Sequence, residues 1–125
     1  KTNVKKIYLS TGLSSYKEIN ETLKKIDTKK INLIHTSFKK TRAAINFQRI
    51  SILKKKFGLP VSYGNHSPLI KTIPHSIFFK PESIFFYIKL NKNLNYPDNN
   101  HAIKIKSVTS ILKSVKKNEE KLAKN

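Results

Sequence analysis

Three short polar triplets hold most of the side chains able to do chemistry: Ser10-Thr11-Gly12, His35-Thr36-Ser37 and Gly64-Asn65-His66. Each follows an apolar run. A turn rich in hydroxyls and backbone amides suits a phosphate or carboxylate, whereas an imidazole suits proton transfer or a divalent transition ion. His75, His101 and the string Tyr96-Pro97-Asp98-Asn99 complete the set. By local chemistry alone, His66 is one ligand and not a site. His35 reads as packing at a strand end, His75 as a surface residue, and Asp98 after Pro97 as part of a turn. The absence of cysteine excludes a disulfide framework, a thiolate metal site and a cysteine nucleophile. No Walker loop, dinucleotide fingerprint, zinc-ligand spacing or nucleophile elbow occurs.

The elements that must position these residues repeat. Ile7-Tyr8-Leu9 reads as a strand. Ser15 with Glu18 three residues on is a capping-box pattern, and Ile19, Leu23 and Ile26 follow at helical spacing. Residues 31–34 read as a second strand, followed by a helix with Ile50, Leu53 and Phe57 on one face and Gly58 then Pro60 as its stop. Val61-Ser62-Tyr63 is the third strand, residues 68–79 a third helix interrupted by Pro74, and residues 83–88 a fourth strand. A last helix carries Val108, Ile111, Leu112, Val115 and Leu122. Strand starts at Ile7, Ile31, Val61 and Ile84 give the period of βα units, which predicts an α/β fold with a parallel sheet. Four units make either a small open sheet or half of a (β/α)₈ barrel. In both, the triplets lie just after strands, at the carboxyl edge where such folds place their sites.

The chain has 125 residues, one domain's worth, and begins at Lys1 and not at Met, which leaves open whether Lys1 is the true start. Lys plus Arg total 26 against 7 Asp plus Glu, a net charge of +19, yet only Arg42 and Arg49 are arginine. Specific phosphate and base recognition leans on the guanidinium fork, so this lysine surplus does not point to nucleic acid. Lys, Asn and Ile together fill 52 positions, as the codons of an AT-rich genome would dictate. No apolar run approaches the roughly 18 residues of a membrane span and no signal-peptide pattern is present, which makes the cytoplasm the default location.

The same triplets resemble turns of the N-acetylneuraminate (sialic acid) synthase family. Leu9-Ser10-Thr11-Gly12-Leu13-Ser14 is similar to that family's Leu-Ser-Thr-Gly-Met-Ser, and Leu33-Ile34-His35-Thr36-Ser37 to its His-Cys-Thr segment. The stretch from Phe57 to Ser67 resembles Phe-Gly-Leu-Pro-Val-Gly-Tyr-Ser-Asp-His-Thr. Residues 84–98 lie over Ile-Glu-Lys-His-Phe-Thr-Leu-Asp-Arg-Ser-Leu-Pro-Gly-Pro-Asp with no gap from His66. The resemblance implies units five to eight, the C-terminal half of an aldolase-type TIM (β/α)₈ barrel, as a single partial domain over 1–125 without the antifreeze-like C-terminal domain common in these enzymes. It implies condensation of phosphoenolpyruvate with N-acetylmannosamine or a related amino sugar, using a divalent metal (Mn²⁺ or Mg²⁺). His66 takes the place of a metal ligand, and Ser10, Thr11, Ser37 and Asp98 those of substrate-binding residues; Gly12 and His101 also survive.

Four positions depart from the family. Tyr87 replaces the second histidine ligand, Phe85 the acid-base Glu, Asn65 an Asp and Gly64 a Ser. An apolar ring neither transfers a proton nor holds a cation, so a truncated or degenerate synthase, inactive by itself, is the expectation. Half a barrel leaves two bare strand edges, which predicts a homodimer or association with the missing N-terminal half. Two alternatives stay open: a non-enzymatic basic protein that binds polyanions, and a subunit that completes its barrel with another chain.

Overall fold

The computed structural model describes residues 3–39, 42, 44–90 and 97–124; the segment 91–96, inside the last stretch of resemblance, lies outside them. Four βα units follow one another. They are β1 (Ile7–Ser10) with α1 (Tyr16–Leu23), β2 (Ile31–Ser37) with α2 (Gln48–Phe57), β3 (Val61–Asn65) with α3 (Thr72–Ser76), and β4 (Ile84–Phe86) leading to α4 (Val108–Ala123). The sheet order is β1-β2-β3-β4, parallel throughout, with Leu9 opposite Leu33, Leu33 opposite Val61 and Tyr63 opposite Ile84. The βα period of the sequence is therefore a parallel half-barrel.

Strand alternation sorts the residues onto two faces. Ile31, Leu33, Val61 and Tyr63 pack outward with Ile19 of α1, Ile50 and Leu53 of α2, and Ile45 and Phe47 of the connection before α2. Complete burial of residues such as Leu33, Ile50, Leu53 and Val61 contributes roughly 1.5–3 kcal/mol each. A second cluster joins Ile73, Ile103 and Ile111 with Ile84, Phe86 and Val115, seating α4 against α3 and β4. On the other face, the rings of Tyr8 in β1 and Phe85 in β4 meet edge-on with centroids 4.9 Å apart. These are the two outer strands, which a flat sheet would hold about 14 Å apart at ~4.8 Å per strand. The sheet is curled, and the face carrying Tyr8 and Phe85 is its concave, barrel-inner side.

Local signals explain where most elements begin and end. The Ser15 hydroxyl accepts from Glu18 N (3.2 Å) and Ser15 N donates to the Glu18 carboxylate (2.7 Å), a complete capping box. α2 ends at Gly58, whose φ of +64° is left-handed and whose N–H donates to Lys54 O. Elsewhere the structure corrects the sequence reading. α1 stops at Leu23, leaving Ile26 exposed, because the Asp27 carboxylate accepts from Lys29 N and starts a short 3₁₀ turn. Pro74 does not interrupt α3. It is the helix's third residue, where an N–H has no intrahelical partner to lose, and its carbonyl accepts from Asn118 Nδ2 of α4. The helix itself is short and tightens into a 3₁₀ turn over Ile77–Phe79. The expected fourth strand is two strands. β4 leaves the sheet after Phe86, Tyr87 O accepts from Ile103 N, and β5 (Ile88–Lys89) pairs in parallel with β6 (Ile103–Lys104). His75 is half-buried, its ring edge-on to Phe47 (5.3 Å).

Candidate functional site at the carboxyl edge of the sheet

Ser10, residues 35–37, Gly64 and Asn65 are the last residues of their strands, not residues just after them. Alternation then decides which side chains reach the concave face. Ser10, Ile34, Thr36, Gly64, His66, Phe85 and Tyr87 line a cavity of about 470 Å³ at the carboxyl edge. The Ser10 and Thr36 hydroxyls are 3.3 Å apart across the β1–β2 pair. Gly64 is required by their packing: a Cβ there would lie 2.8 Å from Thr36 Oγ1 and 3.0 Å from the Ile34 side chain. The Ser of the family pattern has no room. Toward the amino ends of the strands, buried Ser62 donates to Asn32 Oδ1 (2.8 Å).

His66 sits at the rim in a cluster of rings, with centroids 4.5 Å from His101, 5.0 Å from Phe38 and 5.5 Å from Tyr87. Partial burial, then the neighbouring His101, lower its pKa below the ordinary imidazole value, while Asp98 pulls the other way. Neutral imidazole is therefore its resting form at neutral pH. Asp98 lies 3.5 Å from His101 Nε2, and its backbone has a left-handed φ of +63° at the turn whose carbonyl accepts from His101 N and Ala102 N.

The residues singled out from sequence divide accordingly. Ser10 and His66 share the cavity, and Asp98 reaches the same region beside His101. Thr11 is buried behind it, where its N–H and hydroxyl both donate to Ile34 O (2.9 and 3.0 Å). The Ser37 hydroxyl accepts from Lys39 N, and Ser37 does not line the cavity. Thr36 is the lining residue that sequence reasoning left out. The signal was available, since a period of two from Ile34 puts Thr36, not Ser37, on the inner face. Asn65 points toward the helices. It accepts from the Tyr63 hydroxyl (2.9 Å) and Thr72 Oγ1 (2.8 Å) and donates Nδ2 to Ser67 O (2.7 Å), a bond an Asp could not make.

A divalent ion is implied by the resemblance, so the donor set matters. Tyr87 presents its ring edge-on to His66, Phe85 offers no donor, and the His66 and His101 rings are tilted 34° to one another with centroids 4.5 Å apart. Among the described residues no three His, Cys, Asp or Glu side chains converge on a metal-sized centre. The side chains present do not fit a two-histidine cation site.

The sequence profile of the NeuB family matches residues 1–125. The chain belongs to the NeuB family. Among solved structures it is similar to the N-acetylneuraminic acid (sialic acid) synthetase of Leptospira borgpetersenii serovar Hardjo-bovis, with a TM-score of 0.83, 21% identity and coverage of 94% of this chain and 42% of that one. The spore coat polysaccharide biosynthesis protein spsE of Bacillus subtilis gives a TM-score of 0.81 at 18% identity over 95% of this chain and 35% of that one. An uncharacterized protein of Methanocaldococcus jannaschii is 32% identical over 104 residues, 79% of this chain and 30% of the relative. The NeuB-family chain thus spans well under half the length of these relatives. Its fold is the matching half of the synthase barrel, and it is a sialic acid synthase-like protein. No helix among the described residues is long and apolar enough to cross a membrane.

Proposed function

We propose that this chain supplies the carboxyl half of a cytoplasmic synthase-type barrel whose ancestral reaction joins phosphoenolpyruvate to an N-acetylated amino sugar, and that it binds substrate without supplying the acid-base and cation-holding groups. The observation that carries this reading is the composition of the cavity: it keeps Ser10 and His66 of the family pattern but has Phe85 and Tyr87 where that pattern has Glu and His. A carboxylate can take up or release a proton as the carbon–carbon bond forms and phosphate leaves; a phenyl ring cannot. Phosphate release by the full-length gene product with phosphoenolpyruvate, N-acetylmannosamine and manganese tests the reading. Turnover at or below one-thousandth of an ordinary enzyme rate of about 10 s⁻¹ is expected. A rate within tenfold of that value contradicts it.

A barrel-completing role has its own support. β1 and β4 are the outer strands of the sheet, each with one side unpaired among the described residues. Tyr8, Phe85 and Tyr87 leave 40%, 39% and 46% of their surface exposed on the concave face. Pairing of both edges with parallel strands from a further (β/α)₄ segment would cover these groups. Hydrogen exchange on the full-length product checks this: slow exchange of the β1 and β4 edge amides supports it, and fast exchange at both edges opposes it.

A further inference from the structure

A second cavity, of about 410 Å³, opens on the outer side of the sheet, between the connection that precedes α2 and the chain running from α3 into its 3₁₀ turn. It shares no lining residue with the cavity at the carboxyl edge. Its floor is aromatic. Phe47 and Phe79 stack with centroids 5.3 Å apart and an interplanar angle of 20°, and the His75 ring stands edge-on to both, at 5.3 and 5.8 Å. Arg42, Asn46 and Gln48 supply the polar wall.

Only two of the 26 basic residues are arginines, and they are used differently. Arg49 is committed to the fold: its guanidinium donates to Ser14 O (2.7 Å) and lies over the Tyr16 ring, 5.1 Å from the centroid. Arg42 is exposed at the cavity, and its charge reaches His75, whose pKa is lowered by partial burial and then by Arg42. Among the described residues the ion pairs lie elsewhere, Lys6 with Glu82 and His101 with Asp98, and no acidic side chain lines this cavity. A guanidinium beside stacked rings matches a carboxylate carried on an apolar body, since the planar fork takes the two oxygens and the rings cover the body. The Asn46 and Gln48 amides and the His75 imidazole are further donors around such a group. A small hydrophilic anion would leave the rings wet, and an uncharged aromatic would leave Arg42 unpaired. The volume is within the range of small-molecule sites.

We propose that this outer cavity binds a small amphipathic carboxylate, its carboxylate on Arg42 and its apolar body on Phe47 and Phe79. The inference goes beyond the proposed function and does not depend on what the cavity at the carboxyl edge binds or catalyses.

NMR titration of the full-length product with benzoate tests it, at about 150 mM salt so that diffuse attraction to surface lysines is screened. Saturable binding with a Kd of about 1 mM or below is expected, with the His75 ring resonances moving on the same curve. Arg42→Gln should weaken it roughly tenfold or more. Arg42 is exposed, so this variant keeps the fold, which circular dichroism verifies. Benzyl alcohol and acetate, each carrying half of the recognised pattern, should bind at least tenfold more weakly than benzoate. Phe85→Ala, at the other cavity, should leave benzoate binding unchanged. Absence of saturable binding by natively folded protein, equal affinity in Arg42→Gln, equal affinity for benzyl alcohol or acetate, or binding that depends on Phe85 each overturns the inference.

Discussion

Replacing His35 should flatten the acid side of the stability profile. His35 is in β2 with 3% of its surface exposed and its ring 6.4 Å from that of Tyr63, and among the described residues neither ring nitrogen has a partner in good hydrogen-bond geometry. Burial, then the charge of Arg49, push its pKa from the ordinary 6.5 down to about 4, against a smaller opposing pull from the Asn46 backbone. The native state therefore refuses a proton that the unfolded chain accepts. Between pH 6.5 and 4 the unfolded state binds more protons, so stability is complete above 6.5 and falls as pH drops, levelling below 4. A fall from 6.5 to about 4 corresponds to about 3 kcal/mol. His35→Phe keeps an aromatic ring and removes the titration. Urea unfolding of both proteins from pH 7.5 to 4 should show the wild type losing about 3 kcal/mol more than the variant. His66 and His75, whose pKa values are also lowered by burial, contribute with the same sign to both proteins and cancel in the difference. Parallel curves, or an NMR titration placing His35 near 6.5, would refute the reasoning.

Ser15→Ala removes the α1 capping box and should cost about 1 kcal/mol in urea unfolding, with no change at the cavity. Gly64→Ala drives a Cβ to 2.8 Å from Thr36 Oγ1; chemical denaturation should register a loss of about 1–3 kcal/mol, part of which Thr36→Ala restores. Asn65→Asp forfeits the bond to Ser67 O and buries a charge, so about 2 kcal/mol or more should disappear at pH 7; an unchanged midpoint would show that this network does not hold β3 to α3.

How much was legible depended on how local each signal was. The capping box at Ser15, the glycine stop at Gly58 and the strand starts are short-range, and the structure repeats them. The break between β4 and β5 was not, because it depends on Ile103 N reaching Tyr87 O from sixteen residues away. Pro74 misled because its effect depends on helix register: it blocks an interior turn but not a first one. At the site, Ser10 and His66 were placed by pattern and both line the cavity. Thr36 was missed, though alternation from Ile34 reaches it. The contact between the His66 and His101 rings joins positions 35 residues apart and needed the folded chain. Asn65, a substitution at a charged family position by sequence, is explained by the carbonyl of Ser67.

The proposed function rests on Tyr87 and Phe85, which stand where the family pattern has a cation ligand and an acid-base Glu. Titration of Mn²⁺ into the metal-stripped, full-length product, followed by the electron paramagnetic resonance of the free ion, tests it most directly. No stoichiometric site that depends on His66 is expected in the wild type, and the double variant Phe85→Glu with Tyr87→His should gain binding. One tightly bound Mn²⁺ per chain in the wild type, lost in His66→Ala, would contradict it.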